Sequence, residues 1–216
     1  EELKQQHKIK FSNLIKHVYK HSLYYKNLID KIGKPLNELT VKDFPVMDKT
    51  VLMNNFDDII TDKSLSKSRI KEFLKYSDNP EELLDDKYVI INSSGSSGQV
   101  GYFVYSIPEF TSGLTHIINF NTPHLRQKIA YIASIKGHFA GCTIASATKR
   151  LKLSYKDTLM IDINEPYQNI IKKLNQFQPD ILSGYPTVLR KLAKSQLSGQ
   201  LDISVNTINC GGEALL

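Results

Sequence analysis

The chain has 216 residues, of which 41% are hydrophobic and 23% are charged, a balance typical of globular proteins. This length can bury enough apolar surface for one large domain or two small ones. The 28 Lys and Arg residues exceed the 22 Asp and Glu residues, so the formal net charge is +6. Because these cations form no basic stripe interleaved with aromatic residues, the sequence argues against nucleic-acid binding.

Two cysteines, Cys142 and Cys210, are too few for a disulfide framework and lack metal-ligand spacing. We expect both thiols to be buried and reduced. The first ten residues are charged throughout, unlike a signal peptide, and no apolar run approaches the roughly 18 residues that cross a bilayer. The sequence therefore predicts a cytoplasmic protein without a membrane span.

The first part of the chain has helical periodicity. Apolar residues recur at helical spacing over residues 3–32, which predicts one or two amphipathic helices with a break near His21 and Ser22. Asp48 is a predicted N-cap for a helix over residues 49–56. The polar stretch 61–86 predicts a surface segment with a short helix.

The second part alternates short apolar runs with helical patterns. Predicted strands cover residues 88–91, 102–106, 128–135, 158–163, 181–182 and 205–210, and predicted helices cover residues 108–120, 139–148, 166–177 and 187–197. This alternation predicts an α/β domain with a largely parallel sheet. We therefore predict a helical N-terminal segment, residues 1–86, followed by a layered α/β nucleotide-binding subdomain, residues 87–216.

The serine–glycine loop, residues 92–101, has the sequence Asn-Ser-Ser-Gly-Ser-Ser-Gly-Gln-Val-Gly and lies between two predicted strands. Glycines let the backbone approach a ligand closely, and successive N–H groups and serine hydroxyls can converge on phosphate oxygens. The glycine spacing matches neither a Walker A loop nor a dinucleotide fingerprint. A flexible linker is the alternative, but the flanking apolar runs argue against it. The sequence predicts a phosphate-binding loop.

This loop resembles the phosphate loop of the adenylate-forming (AMP-dependent) synthetases and ligases. The resemblance implies that six residues hold the β- and γ-phosphates of ATP with the help of Mg²⁺. They are Ser93, Ser94, Gly95, Ser96, Ser97 and Gly98. Val100 and Gly101 depart from the family pattern, which usually has Pro followed by Lys or Thr, so one phosphate ligand is missing.

Two N-terminal stretches, His21-Ser22-Leu23-Tyr24-Tyr25 and Phe44-Pro45-Val46, resemble the phenylacetate-CoA ligase branch of the same superfamily. Packing alone also accounts for these residues. Relatives in that branch include aryl-acid CoA ligases, a cofactor-adenylylating type and CapK-like proteins linked to capsule polysaccharide formation. The small carboxylic acid that such an enzyme activates is not readable from this sequence.

Two further motifs follow predicted strands. Ser183-Gly184-Tyr185-Pro186-Thr187 lies where ligands collect in open α/β sheets, and the resemblance implies that Tyr185 and Pro186 line an acyl pocket. In the second motif, Gly211 and Gly212 let the backbone pass against a flat ring, and a helix predicted near Glu213 directs N–H groups at an anion. The resemblance implies that these three residues contact adenosine.

The stretch Gly137-His138-Phe139-Ala140-Gly141 follows another predicted strand. Several branches of the resembled family carry His-x-x-Gly here, which implies that His138 lies near the acyl pocket and the nucleotide. A lone histidine before a helix is otherwise a capped or solvent-facing residue. The remaining histidines form no metal spacing, and we predict no metal site. They are His7, His17, His21, His116 and His124.

Taken together, the resemblance implies an ATP-dependent, AMP-forming carboxylate activation that passes an acyl adenylate to a thiol, commonly coenzyme A. The family's catalytic lysine is expected beyond Leu216, so we expect the N-terminal portion of a longer enzyme, inactive by itself. We also expect a sheet edge that favours homodimers or other self-association. The alternative is a short nucleotide-binding or scaffolding module without catalysis, linked to capsule polysaccharide formation.

Overall fold

The computed structural model of the chain describes residues 1–95, 98–120, 127–150 and 157–214. The chain folds into two compact units. One comprises Glu1–Phe73 and Ser94–Tyr102, and the other comprises Leu74–Ser93 and Phe103–Leu216. Within the described ranges, no helix combines the length and the apolar character that a bilayer crossing requires.

The first unit is helical. Its helices are α1 (Glu2–His21), α2 (Leu23–Ile32), α3 (Lys49–Asn54), α4 (Phe56–Ile59) and most of α5 (Lys67–Tyr76), with a 3₁₀ turn at Val41–Asp43. The apolar faces of α1 and α2 meet around Ile15, Ile29 and Leu39, which are all buried. The helical periodicity predicted for this part of the chain is confirmed.

Ser22 ends α1 and begins α2, as the predicted break requires. Its backbone is extended, and its hydroxyl oxygen accepts a hydrogen bond from the backbone N–H of Tyr25 at 3.4 Å. The same hydroxyl donates to the carbonyl oxygen of Asp58 at 2.9 Å, and Ser22 is only 2% exposed. One side chain therefore caps α2 and fastens the α1–α2 corner to α4.

Asp48 is the N-cap of α3, as predicted, since its carboxylate accepts a hydrogen bond from the N–H of Val51 at 2.8 Å. The helix ends earlier than expected, at Asn54. The side-chain amide of Asn55 donates to the carbonyl of Val51 at 2.8 Å and so satisfies one of the last carbonyls of the helix. A separate short helix, α4, then begins at Phe56.

The second unit contains a parallel four-stranded sheet in the order β4-β3-β5-β6. Its strands are β3 (Ile129–Ala133), β4 (Thr158–Asp162), β5 (Ile181–Gly184) and β6 (Thr207–Cys210), and its helices are α6 (Ile107–Phe120), α7 (Ala140–Arg150), α8 (Tyr167–Phe177) and α9 (Pro186–Leu197). Strands β1 (Tyr88–Asn92) and β2 (Tyr102–Ser106) pair in a separate sheet. The predicted α/β class and parallel sheet are confirmed.

The core of the second unit lies between the parallel sheet and helices α8 and α9. Ile132 of β3 pairs in register with Ile161 of β4 and Gly184 of β5. Ile132 and Ile161 are fully buried, as is Leu174 of α8. Because the strands are parallel, the residues that follow β3, β5 and β6 emerge at one edge of the sheet, where ligands of open α/β sheets bind.

The two cysteines differ in their environments. Cys142 in α7 is buried, as expected, whereas Cys210 in β6 is exposed. The prediction of two buried thiols is therefore wrong for Cys210. The physical reason is the position of β6 at one end of the strand order, where all four of its residues are exposed.

The Ser22→Ala variant tests the α1–α2 corner. The substitution removes the cap of α2 and the hydroxyl that donates to the carbonyl of Asp58, so we expect the free energy of unfolding to fall by about 0.5–2 kcal/mol. The measurement is urea denaturation followed by circular dichroism. Ser204→Ala, at an exposed position, is the matched control. Equal stabilities of the two variants would contradict the role of Ser22.

Candidate functional site

The serine–glycine loop connects β1 to β2, so the predicted order of strand, loop and strand is confirmed. Gly95 and Gly98 have φ angles of +74° and +88°, in the left-handed region that favours glycine. The N–H of Gly98 donates to the carbonyl of Gly95 at 2.8 Å and closes a tight turn. The intervening Ser96 and Ser97 lie outside the described residues, so their predicted role stays a prediction.

Val100 packs against the first glycine of the loop. A β-carbon added to Gly95 would lie 3.0 Å from Cγ2 of Val100, closer than ordinary van der Waals contact. Gly101, the next residue, is buried. Val100, which departs from the family pattern, thus makes an apolar contact that shapes the loop. A larger residue at position 95 would displace the Val100 side chain.

The end of β1 is attached to the segment that joins β3 to α7. The N–H of Asn92 donates to the carbonyl of His138 at 2.8 Å, and Asn92 forms an isolated parallel bridge with Phe139. Ser93 follows directly along the chain. The structure therefore brings two of the predicted site residues, Ser93 and His138, to neighbouring backbone positions within the second unit.

His138 is buried, with 1% of its surface exposed, so the alternative of a solvent-facing histidine is wrong. Its Nε2 lies 2.8 Å from Oγ of Ser77, and that hydroxyl lies 2.6 Å from a carboxylate oxygen of Glu82. A carboxylate only accepts, so the single hydroxyl proton of Ser77 goes to Glu82. The Nε2–H of His138 then donates to Ser77, which assigns the tautomer.

Burial lowers the pKa of His138 below its ordinary value of 6.5. The carbonyl of Ile90 and the carboxylates of Glu82 and Asp78 oppose this shift without overcoming it. Because the charged imidazolium is disfavoured in a buried position, His138 is neutral at neutral pH. It can orient a neighbouring group by shape and hydrogen bonding, but it adds no positive charge for binding an anion.

Tyr185 and Pro186 lie at the carboxyl end of β5, where Pro186 begins α9. Gly211 follows β6 and donates its N–H to the carbonyl of Gly184 at 3.3 Å. Gly212 has a φ angle of +83°, and a β-carbon added there would lie 2.7 Å from the Tyr185 ring. The predicted acyl-pocket and adenosine residues therefore contact each other at the expected edge of the sheet.

Glu213 caps the first turn of α9. Its Oε2 accepts hydrogen bonds from the backbone N–H of Thr187 at 3.1 Å and from the Thr187 hydroxyl at 2.7 Å. A carboxylate at this position satisfies an otherwise unpaired N–H group and opposes the positive end of the helix dipole. It also ties the glycine pair to α9. The helix predicted to begin near Glu213 falls largely on residues 215 and 216, outside the described part.

Tyr131 of β3 is a candidate site residue that the sequence reasoning missed. A β-carbon added to Gly141, near the start of α7, would lie only 1.9 Å from the Tyr131 hydroxyl oxygen. Burial raises the pKa of Tyr131 to about 12, and the neighbouring Tyr185 and Cys142 add to the shift. Tyr131 alternates with the buried Ala130 and Ile132, which shows that it faces the other side of the sheet. The alternation of side chains along β3 was the sequence signal that could have placed Tyr131 on this face of the sheet.

No group of three or more His, Cys, Asp or Glu side chains placed to hold a metal ion occurs in the part of the chain that the structure describes. The hydroxyls and backbone N–H groups of the serine–glycine loop are suited to phosphate oxygens.

Comparison with known proteins gave two kinds of relative, and no family model matches the chain. Protein CapK of Staphylococcus aureus is 25% identical over 219 residues, which cover 96% of this chain and 42% of CapK. A crystal structure of 2-hydroxyisobutyryl-CoA ligase with 2-HIB-AMP and CoA, in the thioesterification state, superposes with a TM-score of 0.70 at 13% identity. That match covers 98% of this chain and 44% of the ligase.

An open conformation of the same ligase, also with 2-HIB-AMP and CoA, matches with a TM-score of 0.66 over 94% of this chain and 46% of the ligase, again at 13% identity. At 13% identity, the similarity to these ligase structures shows a shared fold and no more. The chain has the α/β fold of the N-terminal region of adenylate-forming enzymes, which the sequence motifs predicted. It spans less than half the length of the relatives it matches.

The buried His138 generates a pH-dependent stability. An unfolded imidazole takes up a proton below about pH 6.5, whereas the buried one resists it, so the free energy of unfolding should fall as the pH drops below that value. Urea denaturation at pH 7.5 and 5.5 measures the change. The His138→Gln variant lacks this titration and should lose less stability over the same interval. Equal losses in both proteins would show that His138 titrates normally in the folded state.

The contact between Glu213 and Thr187 is testable by a double-mutant cycle. Glu213→Ala removes the carboxylate from the first turn of α9 and should lower the free energy of unfolding by about 0.3–1 kcal/mol. Thr187→Ala removes the hydroxyl partner of the same oxygen. Urea denaturation of both single variants and the double variant should give a combined loss smaller than the sum. Strictly additive losses would mean that the two side chains do not interact in solution.

Proposed function

We propose that this chain is the nucleotide-binding part of an ATP-dependent, AMP-forming ligase that activates a small carboxylic acid and transfers it to a thiol such as CoA. The observation that carries the proposal is the serine–glycine loop. It joins β1 to β2 with two glycines at positive φ, and it occurs in a chain with the fold of an acyl-CoA ligase. Residues 87–216 would form the nucleotide-binding subdomain, and residues 1–86 the helical segment.

In this proposal the serine–glycine loop binds the β- and γ-phosphates of ATP. Because the N–H of Gly98 is committed to the carbonyl of Gly95, the donors are serine hydroxyls and other backbone N–H groups. The two glycines act through their backbone conformation. The proposed phosphate-binding residues are Ser93, Ser94, Gly95, Ser96, Ser97 and Gly98, among which the serines supply the hydroxyl donors and the two glycines shape the loop. Mg²⁺ bound with ATP supplies charge neutralisation.

The loop after β6 would contact adenosine. Gly211 and Gly212 present backbone without side chains, which suits a flat ring, and Glu213 anchors this loop to α9 through Thr187. The role of Glu213 is therefore to position the glycine pair. Its Oε2 is engaged with the N–H and hydroxyl groups of Thr187, which fixes the side chain in place.

The acid would be bounded by Tyr185, Pro186 and the neutral His138, with Tyr131 as a further wall. Both Tyr131 and His138 are uncharged at neutral pH. The pKa of Tyr131 is raised to about 12, and the pKa of His138 is lowered from its ordinary value of 6.5. Neutral groups orient a carboxylate without the strong ion pair that would lower its nucleophilicity. A lipophilic or aromatic acid suits walls made of tyrosine and proline.

The reaction then follows from charge and position. A carboxylate oxygen attacks the α-phosphorus of ATP, the bond to the bridging oxygen breaks, and pyrophosphate leaves. The thiolate of the acceptor attacks the acyl carbon of the adenylate, and AMP leaves. Catalysis of phosphoryl transfer depends mainly on positioning and on stabilising negative charge. The catalytic lysine of the family belongs, in this proposal, to sequence beyond Leu216.

A nucleotide-binding or scaffolding module without catalysis is the second candidate. The observation in its favour is the loop itself, in which Val100 and Gly101 replace the usual Pro and Lys or Thr. The 25% identity with protein CapK over almost the whole chain supports a CapK-like module, the group that the sequence resemblance links to capsule polysaccharide formation. The two candidates differ in whether bound ATP exchanges pyrophosphate when an acid is present.

The test is ATP–pyrophosphate exchange by the full-length natural protein with a panel of aryl and short-chain carboxylic acids. We expect acid-dependent exchange that Gly98→Ala lowers by about tenfold to a thousandfold, because alanine is strained at a φ of +88° and misplaces the phosphate donors. The matched control is Gly113→Ala in α6, where no described atom lies within 4 Å of the added carbon. That control should retain full exchange.

Two outcomes would change the conclusion. ATP binding without exchange for any acid would favour the non-catalytic module. Acid-dependent exchange that Gly98→Ala leaves unchanged would show that the serine–glycine loop does not bind the phosphates, even though the protein is a ligase.

A further inference from the structure

His17 and His21 lie one turn apart near the C-terminal end of α1. The sequence predicted no metal site among the histidines, but the four-residue spacing on this helix brings these two imidazoles together. Residues four apart on a helix share a face, with β-carbons about 5–6 Å apart. The two imidazole rings lie side by side, with centroids 4.8 Å apart and planes inclined at 37°. Both side chains are exposed. The helix therefore presents two neighbouring imidazoles to solvent.

We propose that His17 and His21 form a chelating site for a divalent transition-metal ion of the Cu²⁺, Ni²⁺ and Zn²⁺ class. Imidazole nitrogen is a preferred ligand for these ions, at about 2.0–2.1 Å for zinc. One ion bound to two nitrogens at such lengths holds them roughly 3 Å apart. Rings 4.8 Å apart can bring nitrogens to this spacing by side-chain rotation alone.

The charges around the pair are mixed. Lys20 lies three residues after His17 and so shares its side of α1, whereas Lys16 lies about 100° around the helix from His17. The next residue on the histidine face is Leu14, which is 55% exposed and uncharged. His21 is the last residue of α1, so an ion there lies at the negative end of the helix dipole.

The site is open. In the described part of the chain no third His, Cys, Asp or Glu side chain completes a metal-binding group, so two protein ligands leave the other coordination positions to water or an external ligand. Structural zinc sites use four protein ligands, which makes this a site for exchangeable ions. A bound ion would cross-link the last turn of α1 next to Ser22, and an ion that binds only the folded chain stabilises it.

The experiment is isothermal titration of the tag-free chain with NiCl₂. We expect one ion to bind per chain, and the single variants His17→Ala and His21→Ala to bind about a hundredfold more weakly or worse, because the second imidazole binds intramolecularly. His7→Ala is the matched control. It removes an exposed histidine from the same helix, with Leu3 and Phe11 one turn away, and should leave the affinity unchanged.

A second readout is the melting temperature, which Ni²⁺ should raise for the wild-type chain but not for the double variant. Because both positions are exposed, the variants should fold normally, and their metal-free melting temperatures check this. The proposal is overturned if the wild-type chain does not bind Ni²⁺, if His21→Ala binds it equally well, or if His7→Ala weakens binding as much as His17→Ala does.

Discussion

The parallel pairing of β3 with β5 and of β5 with β6 is the constraint on which the candidate site depends. Parallel strands end at the same edge, so the segments that follow them meet although they are far apart in sequence. Hydrogen bonding between Gly211 and Gly184 continues this pairing past the ends of the strands. The contact between Gly212 and Tyr185 is a direct result of that register.

Much of the fold was predictable because local patterns and tertiary packing agree. The apolar spacing of α1 and α2 matches the core around Ile15 and Ile29, and Ser22 both stops one helix and caps the next. The alternation of apolar runs and helical patterns led to the parallel α/β sheet. The loop motifs predicted which known fold the chain would resemble, because the order of the motifs along the chain is more specific than any single motif. The division of the chain at residue 86 stays a prediction.

The details that sequence reasoning missed depend on partners distant in the chain. The burial of His138 is set by Ser77, which is 61 residues away, and by the end of β1. The exposure of Cys210 follows from the place of β6 in the strand order. The fit of Tyr131 against Gly141 requires the relative position of β3 and α7. Composition and periodicity carry no information about such pairings.

The contact between Tyr185 and Gly212 has a consequence for how such a protein can change during evolution. The side chain proposed to select the acid touches the backbone proposed to hold the nucleotide. A smaller or larger residue at position 185 therefore alters the support of Gly212 as well as the space for the acid. Under the proposed function, acid selectivity and nucleotide affinity are therefore coupled, and a change of acid through position 185 calls for compensating changes in the loop after β6.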